Sequence, residues 1–195
     1  MSYNFDVKTQ TKNCINWIRN WFRENGNEET KAIVGISGGK DSTTVAGLLV
    51  KALGKDRVIG VMMPNGEQKD ISDSIKVCEF LDIKNYTVNI SKALFNLTMD
   101  VLTAMNKHPR NISDSVDITS QYSTNTPARI RMTTLYGIGA MIGNCRVANT
   151  CNLSEDLMGY STLYGDSAGD FAKQCACRRK RSLVAVAALP LDVVV

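Results

Sequence analysis

The chain has 195 residues, enough for one domain with its own core and too few for two ordinary enzyme domains. Hydrophobic residues make up 44% and charged residues 22%, values that exclude a disordered chain, a collagen-like repeat and a coiled-coil rod. The net charge of +4 is carried by the last stretch: residues 173–195 hold five basic groups (Lys173, Arg178, Arg179, Lys180, Arg181) and one acid (Asp192), so residues 1–172 are balanced. A polynucleotide-binding domain would carry such charge on its folded body, so no nucleic-acid partner is expected. No apolar run reaches the roughly 20 residues of a membrane span. Residues 1–10 lack the apolar stretch of a secretory leader, and a cytoplasmic protein with no membrane partner is expected. The six cysteines contain no CxxC pair, which argues against zinc and thioredoxin-like chemistry.

Residues 5–25 read as an amphipathic helix, with Cys14, Trp17, Ile18, Trp21 and Phe22 at helical spacing. Its tryptophan stripe packs on the core or, alternatively, against another subunit. A short apolar strand follows at 32–36, then a glycine-rich turn. A helix from about Thr43 carries Val45, Leu48, Leu49, Ala52 and Leu53 on one face and stops at Gly54. A second strand is expected at 58–63, broken by Pro64-Asn65-Gly66. Ile71, Ile75 and Cys78 mark the next helix, 86–90 a third strand, and 91–105 another helix. Residues 106–127, polar and bounded by Pro109 and Pro127, predict a loop with a short helix inside. A long helix is expected over 127–142, a short strand over 147–150 and a helical turn over 154–161. The alternation of strands and helices, with strands too apolar to face water, predicts a three-layer α/β fold of Rossmann type: a parallel sheet with helices on both faces.

The first strand runs into Gly35-Ile36-Ser37-Gly38-Gly39-Lys40-Asp41-Ser42. Strand, glycine-rich turn and helix start form an anion cradle: glycine lets backbone approach the ligand, and the free amides and dipole of the helix favour negative charge. Ser37 and Ser42 add hydroxyl donors. The spacing is neither the dinucleotide fingerprint nor the Walker A loop, because Gly39-Lys40 is followed by Asp41. An aspartate within such a cradle repels phosphate unless a divalent cation lies between them, so Asp41 predicts Mg²⁺ bridging to phosphate oxygens. The competing reading is a glycine turn whose Asp41 merely favours the helix dipole.

The Ser37–Ser42 loop resembles the pyrophosphate loop of the N-type ATP pyrophosphatases, whose fold is the adenine nucleotide alpha hydrolase type. Further segments resemble ammonia-dependent NAD synthetases, in the same order: Met63-Pro64-Asn65-Gly66-Glu67-Gln68-Lys69-Asp70, Asn125-Thr126-Pro127-Ala128-Arg129-Ile130-Arg131-Met132, Asn149-Thr150-Cys151-Asn152-Leu153-Ser154-Glu155, and the glycine–acid pairs Gly165-Asp166 and Gly169-Asp170. The resemblance covers residues 5–172. It implies that Gly35, Ile36, Ser37, Gly38, Gly39, Lys40, Asp41, Ser42 and Thr150 bind ATP. By the same resemblance Asp41 and Glu155 hold Mg²⁺, and Arg129 and Asp170 contact deamido-NAD. It implies a homodimer and a two-step amidation: adenylation of deamido-NAD by ATP, then displacement of AMP by ammonia. No amidase-like segment precedes residue 5, so ammonia is the expected nitrogen donor. No side chain is singled out as a general base, and His108 reads as incidental.

Other adenylating ATP pyrophosphatases, tRNA-modifying or GMP synthetase-like, and an inactive nucleotide-binding remnant are the alternatives. The likeness stops after Ala172, which predicts a catalytic domain over 1–172 and a tail over 173–195 that a reading-frame break or truncation has set apart from the family. Leu163, where many relatives carry lysine, is a second departure.

Overall fold

The computed structural model describes residues 6–68, 71–106, 117–151, 155 and 158–171. Helix α1 spans Val7–Asn25, opened by the Asp6 carboxylate, which accepts from the amides of Lys8 and Thr9. Strand β1 (Lys31–Gly35) leads into α2 (Lys40–Leu53). A 3-10 turn at Lys55–Arg57 precedes β2 (Val58–Met62). Then come α3 (Ile71–Phe80), β3 (Lys84–Thr87), α4 (Ser91–Asn106), α5 (Ser120–Ile142) and β4 (Cys145–Val147). The four strands are all parallel, in the order β3-β2-β1-β4.

Alternation along β1 and β2 divides the interior in two. Ala32, Val34 and Ile36, with Val58 and Met62, meet Ile18 and Phe22 of α1, Ala46 and Leu49 of α2, and Val77 and Cys78 of α3. Ile33, Ile59 and Val61 point the other way, onto Met132 and Leu135 of α5. This is the expected sheet between two helical layers. Parallel strands buried on both faces must be apolar at successive positions, and every residue of β2 is buried. At Gly60 a side chain would lie 3.0 Å from the Cys78 sulfur and 3.2 Å from Ile36 and Ile83, so the missing Cβ lets α3 seat closely on the sheet.

Three expectations are corrected. Helix α5 begins at Ser120, about two turns before Pro127. Thr119 supplies the cap, its hydroxyl accepting from the Tyr122 amide at 3.2 Å, and Pro127 removes only the one amide that would reach the carbonyl of Ser123. Strand β3 occupies 84–87 rather than 86–90 and is largely exposed, because it forms the sheet edge. Its extension still pairs: the amides of Val88 and Ile90 donate to the carbonyls of Met62 and Pro64, both at 2.9 Å. Strand β4 lies at 145–147, and Ala148 continues it by a parallel bridge to Phe171. The tryptophan stripe packs on the core as expected: Trp17 and Trp21 lie against its α1–α2 side, and Trp21 stacks on Phe171 with centroids 4.8 Å apart. His108, Pro109 and residues 173–195 lie outside the described residues.

Candidate active site

The strand order reverses beside β1. The chain steps outward through β2 and β3, then returns across the sheet to place β4 on the other side of β1. In an open parallel sheet the connections leave the carboxyl ends of such neighbours in opposite directions and open a crevice between them. A cleft of about 420 Å³ lies there. Gly35, Ile36 and Ser37 enter it from the end of β1, Met63 and Gln68 from beyond β2, and Ala148 and Thr150 from beyond β4.

The loop after β1 is held by its own side chains. The Ser37 amide donates to the Ser42 hydroxyl at 3.2 Å, the two hydroxyls lie 3.0 Å apart, and the Gly39 amide donates to the Ser37 hydroxyl at 3.3 Å. The hydroxyls of Ser42 and Thr43 donate back to the Gly39 carbonyl at 3.1 and 2.9 Å. Gly39 is the N-cap of α2 and has no side chain to satisfy the first-turn amides. Those amides therefore face the loop uncapped. Gly38 has a φ of +77°, a left-handed conformation that disfavours other residues, and a Cβ there would sit 3.2 Å from the Ser74 amide. The loop is thereby wedged between the starts of α2 and α3.

Among the described residues two buried oxygens have no hydrogen-bond partner: Ser74 Oγ in this wedge and Asp41 Oδ1 in the first turn of α2. The other oxygen of Asp41, Oδ2, pairs with Lys40 Nζ at 2.7 Å. A buried oxygen left unpartnered costs about 1–3 kcal/mol. Gly38, Gly39, Lys40 and Asp41 stand outside the cleft lining, at the uncapped start of α2, and a buried carboxylate oxygen without a partner there suits a hard cation. Among the described residues no group of three or more His, Cys, Asp or Glu could hold a metal alone, so a cation here would draw further ligands from substrate and water.

The structure separates the remaining residues that the motifs single out. Thr150 lines the cleft. Glu155 is half-buried in the segment beyond β4, where its carbonyl accepts from the Tyr160 amide at 2.8 Å. Arg129 lies outside the cleft lining, its Nε donating to the Leu163 carbonyl at 3.1 Å. Asp170 joins β4 to α5: one carboxylate oxygen accepts from the Val147 amide at 2.7 Å and the other from the Tyr136 hydroxyl at 3.1 Å. Burial, with the Asp170 charge and hydrogen bond adding, pushes the Tyr136 phenol up to about 12. Ser74, Arg131 and Asp166 line the cleft without having been singled out from sequence. Ala128, Arg131, Met132 and Leu135 form the cleft-facing stripe of α5 at i, i+3, i+4 and i+7. That spacing is the signal that could have found Arg131.

Beyond β4, Asn149 organises the returning chain. It is buried, its amide nitrogen donates to the carbonyls of Asp166 and Ala168 at 3.1 and 3.0 Å, and its side-chain oxygen accepts from the Cys151 amide at 2.7 Å. Asp166 is fixed by the Thr162 amide at 2.6 Å. The Thr162 hydroxyl donates to Asn125 at 2.8 Å, tying this turn to α5. Among the described residues no helix is long and apolar enough to cross a membrane.

Comparison with known proteins bears on the family and the fold. An NH(3)-dependent NAD(+) synthetase of Pyrococcus furiosus is 37% identical over 146 residues, covering 75% of this chain and 51% of the relative. The chain spans about half the length of the curated relatives it matches. Among solved structures, an NH3-dependent NAD synthetase from Campylobacter jejuni superposes with a TM-score of 0.79 at 26% identity, covering 98% of this chain and 77% of that one. An NMN synthetase from Francisella tularensis superposes with a TM-score of 0.76 at 25% identity, covering 98% and 74%. The family model described as NAD synthase matches residues 10–194, running through the stretch beyond Ala172. With a phosphate-type loop at the switch point of a parallel sheet and that match along nearly the whole sequence, the chain belongs to the NAD synthase family.

Proposed function

We propose that this chain carries the ATP-binding half of an ammonia-dependent amidation, in which a nicotinate carboxylate becomes a carboxamide. The observation that carries the proposal is Asp41 Oδ1, buried and unpartnered beside the uncapped start of α2. The loop from Gly35 to Ser42 holds the polyphosphate through backbone amides and the Ser37 and Ser42 hydroxyls. Asp41 and Glu155 would hold Mg²⁺, which supplies charge neutralisation for the departing pyrophosphate. Thr150, across the cleft, borders the nucleotide. Arg129 and Asp170 lie outside the cleft lining, so they would contact the pyridine dinucleotide only where it extends past the cleft on the α5 and β4 side.

In the reaction so read, a carboxylate oxygen of deamido-NAD attacks the α-phosphorus of ATP. The bond from that phosphorus to the bridging oxygen breaks, and pyrophosphate leaves with the electron pair. Ammonia then adds to the activated carbonyl carbon, AMP leaves, and the nitrogen loses a proton to solvent. The chain's own contribution is to align and to neutralise charge, which needs no side-chain base. Ser37 and Ser42 are fixed by each other before any ligand arrives, so the cradle needs little reorganisation on binding.

The assay is NAD⁺ and pyrophosphate formation from MgATP, ammonium and deamido-NAD, with nicotinate mononucleotide as a second acceptor. Product that requires deamido-NAD and ammonium supports the proposal, and Asp41→Ala should lower it at least about tenfold. ATP binding without product identifies a nucleotide-binding remnant. Product with a tRNA acceptor alone would refute the amidation.

A homodimer is part of the proposal, and α4 supports it. This helix is apolar along much of its length and buries none of its residues completely. Phe95 is 64% exposed, and Met99, one turn on and on the same face of the helix, is exposed too. A second copy meeting this face would remove that surface from water. Light scattering of the purified chain should give twice the monomer mass, and Phe95→Glu with Met99→Glu should return it to the monomer.

A further inference from the structure

Arg131 stands apart from the residues assigned above. It lines the cleft from α5, half-buried, while Arg129 two positions earlier turns away to the Leu163 carbonyl. Its Nε donates to the Met63 carbonyl at 3.1 Å, which fixes the guanidinium plane against the exit of β2. Among the described residues it forms no ion pair. The carboxylate that shares the cleft, Asp166, is engaged by the Thr162 amide at 2.6 Å. Burial lowers the Arg131 pKa, as expected for a cation drawn from water without a compensating anion. A guanidinium anchored through Nε keeps its two terminal nitrogens for a planar oxyanion.

We infer that Arg131 is a ligand-touching residue of this cleft and binds an oxyanion of the reacting pair, either a phosphoryl oxygen of the nucleotide or the carboxylate to be amidated. The inference deepens the proposed function and rests on it for the identity of the ligands. Its basis is separate: a fixed, half-buried cation with no ion-pair partner among the described residues, facing the same cavity as the Ser37–Ser42 loop. The site so described has its phosphate loop on the α2 side of the sheet and its arginine on the α5 side. A ligand filling the cleft lies between them.

The test compares wild type with Arg131→Lys and Arg131→Ala in two titrations by calorimetry: MgATP alone, and deamido-NAD in the presence of a non-hydrolysable ATP analogue. If the partner is phosphoryl, Arg131→Ala weakens ATP binding about 10- to 100-fold, and Arg131→Lys recovers only part of it. If the partner is the carboxylate, ATP binding is unchanged and the acid alone loses that factor. Guanidinium ion added to Arg131→Ala should restore the affected titration, which a purely structural role would not allow. Unchanged affinities in both titrations, or equal losses in both without rescue, overturn the inference. Should wild type bind neither substrate, the proposed function falls first. Stabilisation by inorganic pyrophosphate and by nicotinate, read from the unfolding temperature, then tests Arg131 alone: an effect present in wild type and missing in Arg131→Ala supports it, and no difference refutes it.

Discussion

Gly38→Ala probes the loop's seat directly. The residue has φ +77°, and a non-glycine residue there costs about 1–2 kcal/mol in backbone strain. The added methyl would also lie 3.2 Å from the Ser74 backbone nitrogen, 3.2 Å from Asp73 Cβ and 3.3 Å from Ser74 Oγ. A backbone atom cannot swing aside as a side-chain tip can, so overpacking adds about 1–3 kcal/mol. Gly54 supplies the control. Its φ is +87°, and nothing lies within 4 Å of the position its Cβ would take. Gly54→Ala should therefore keep the loop's seat intact while carrying backbone strain of its own, its ψ of 153° lying in a nearly glycine-only region. Urea unfolding should show Gly38→Ala losing about 2–5 kcal/mol, strain and overpacking together. Relief of the clash must push the loop away from α3, so Gly38→Ala should also lose MgATP affinity by tenfold or more, while Gly54→Ala binds as wild type. A loss in Gly38→Ala no larger than about 1–2 kcal/mol, the strain alone, or full nucleotide affinity in that variant, would refute the wedge between α2 and α3.

Ser74→Ala removes a buried hydroxyl that has no partner. The variant should unfold no more easily than wild type and gain up to about 1–3 kcal/mol, as measured by urea titration; a clear loss would show that the hydroxyl is satisfied in solution. Tyr136 predicts an alkaline effect. Its pKa is raised from about 10 to about 12 in the fold, so the unfolded chain loses the proton first and stability falls between those two values. Tyr136→Phe should flatten that part of the stability profile, and an identical profile would remove the phenol from the account. Burial pushes the Cys78 thiol up to about 11. Among the four cysteines at described positions it should be the last to react with a thiol reagent at pH 8, followed by labelling and mass spectrometry.

Much of the architecture was legible because it is local. The run from Ile33 to the Gly38-Gly39 turn and the periodic face of Val45, Leu48 and Leu49 predict strand, cradle and helix without knowledge of anything else in the chain. The errors fell where a distant partner decides. Whether 86–90 is buried depends on being at the sheet edge, and hydrophobicity alone does not report strand order. Residues 120–126 are helical because Thr119 caps them and α5 docks on the sheet, against a polar composition that reads as loop. Trp17 and Trp21 lie inward as their helical spacing predicts, although their partner Phe171, far along the chain, could not be read from it.

The same division runs through the site. Asp41, Ser37 and Ser42 are neighbours in sequence, so their chemistry and spacing alone predict an anion cradle that calls for a cation. Arg129 and Arg131 are two residues apart, which is roughly 200° around a helix. Only one can face the cleft, and the motif gives no phase. The docking of α5 against β1 and β2 sets that phase, turns Arg131 inward and leaves Arg129 at Leu163. The loop after β1 is legible as an expected anion cradle because its parts are covalently adjacent. Which residues oppose it is set by packing, since they come from separate elements and their spacing does not fix their direction.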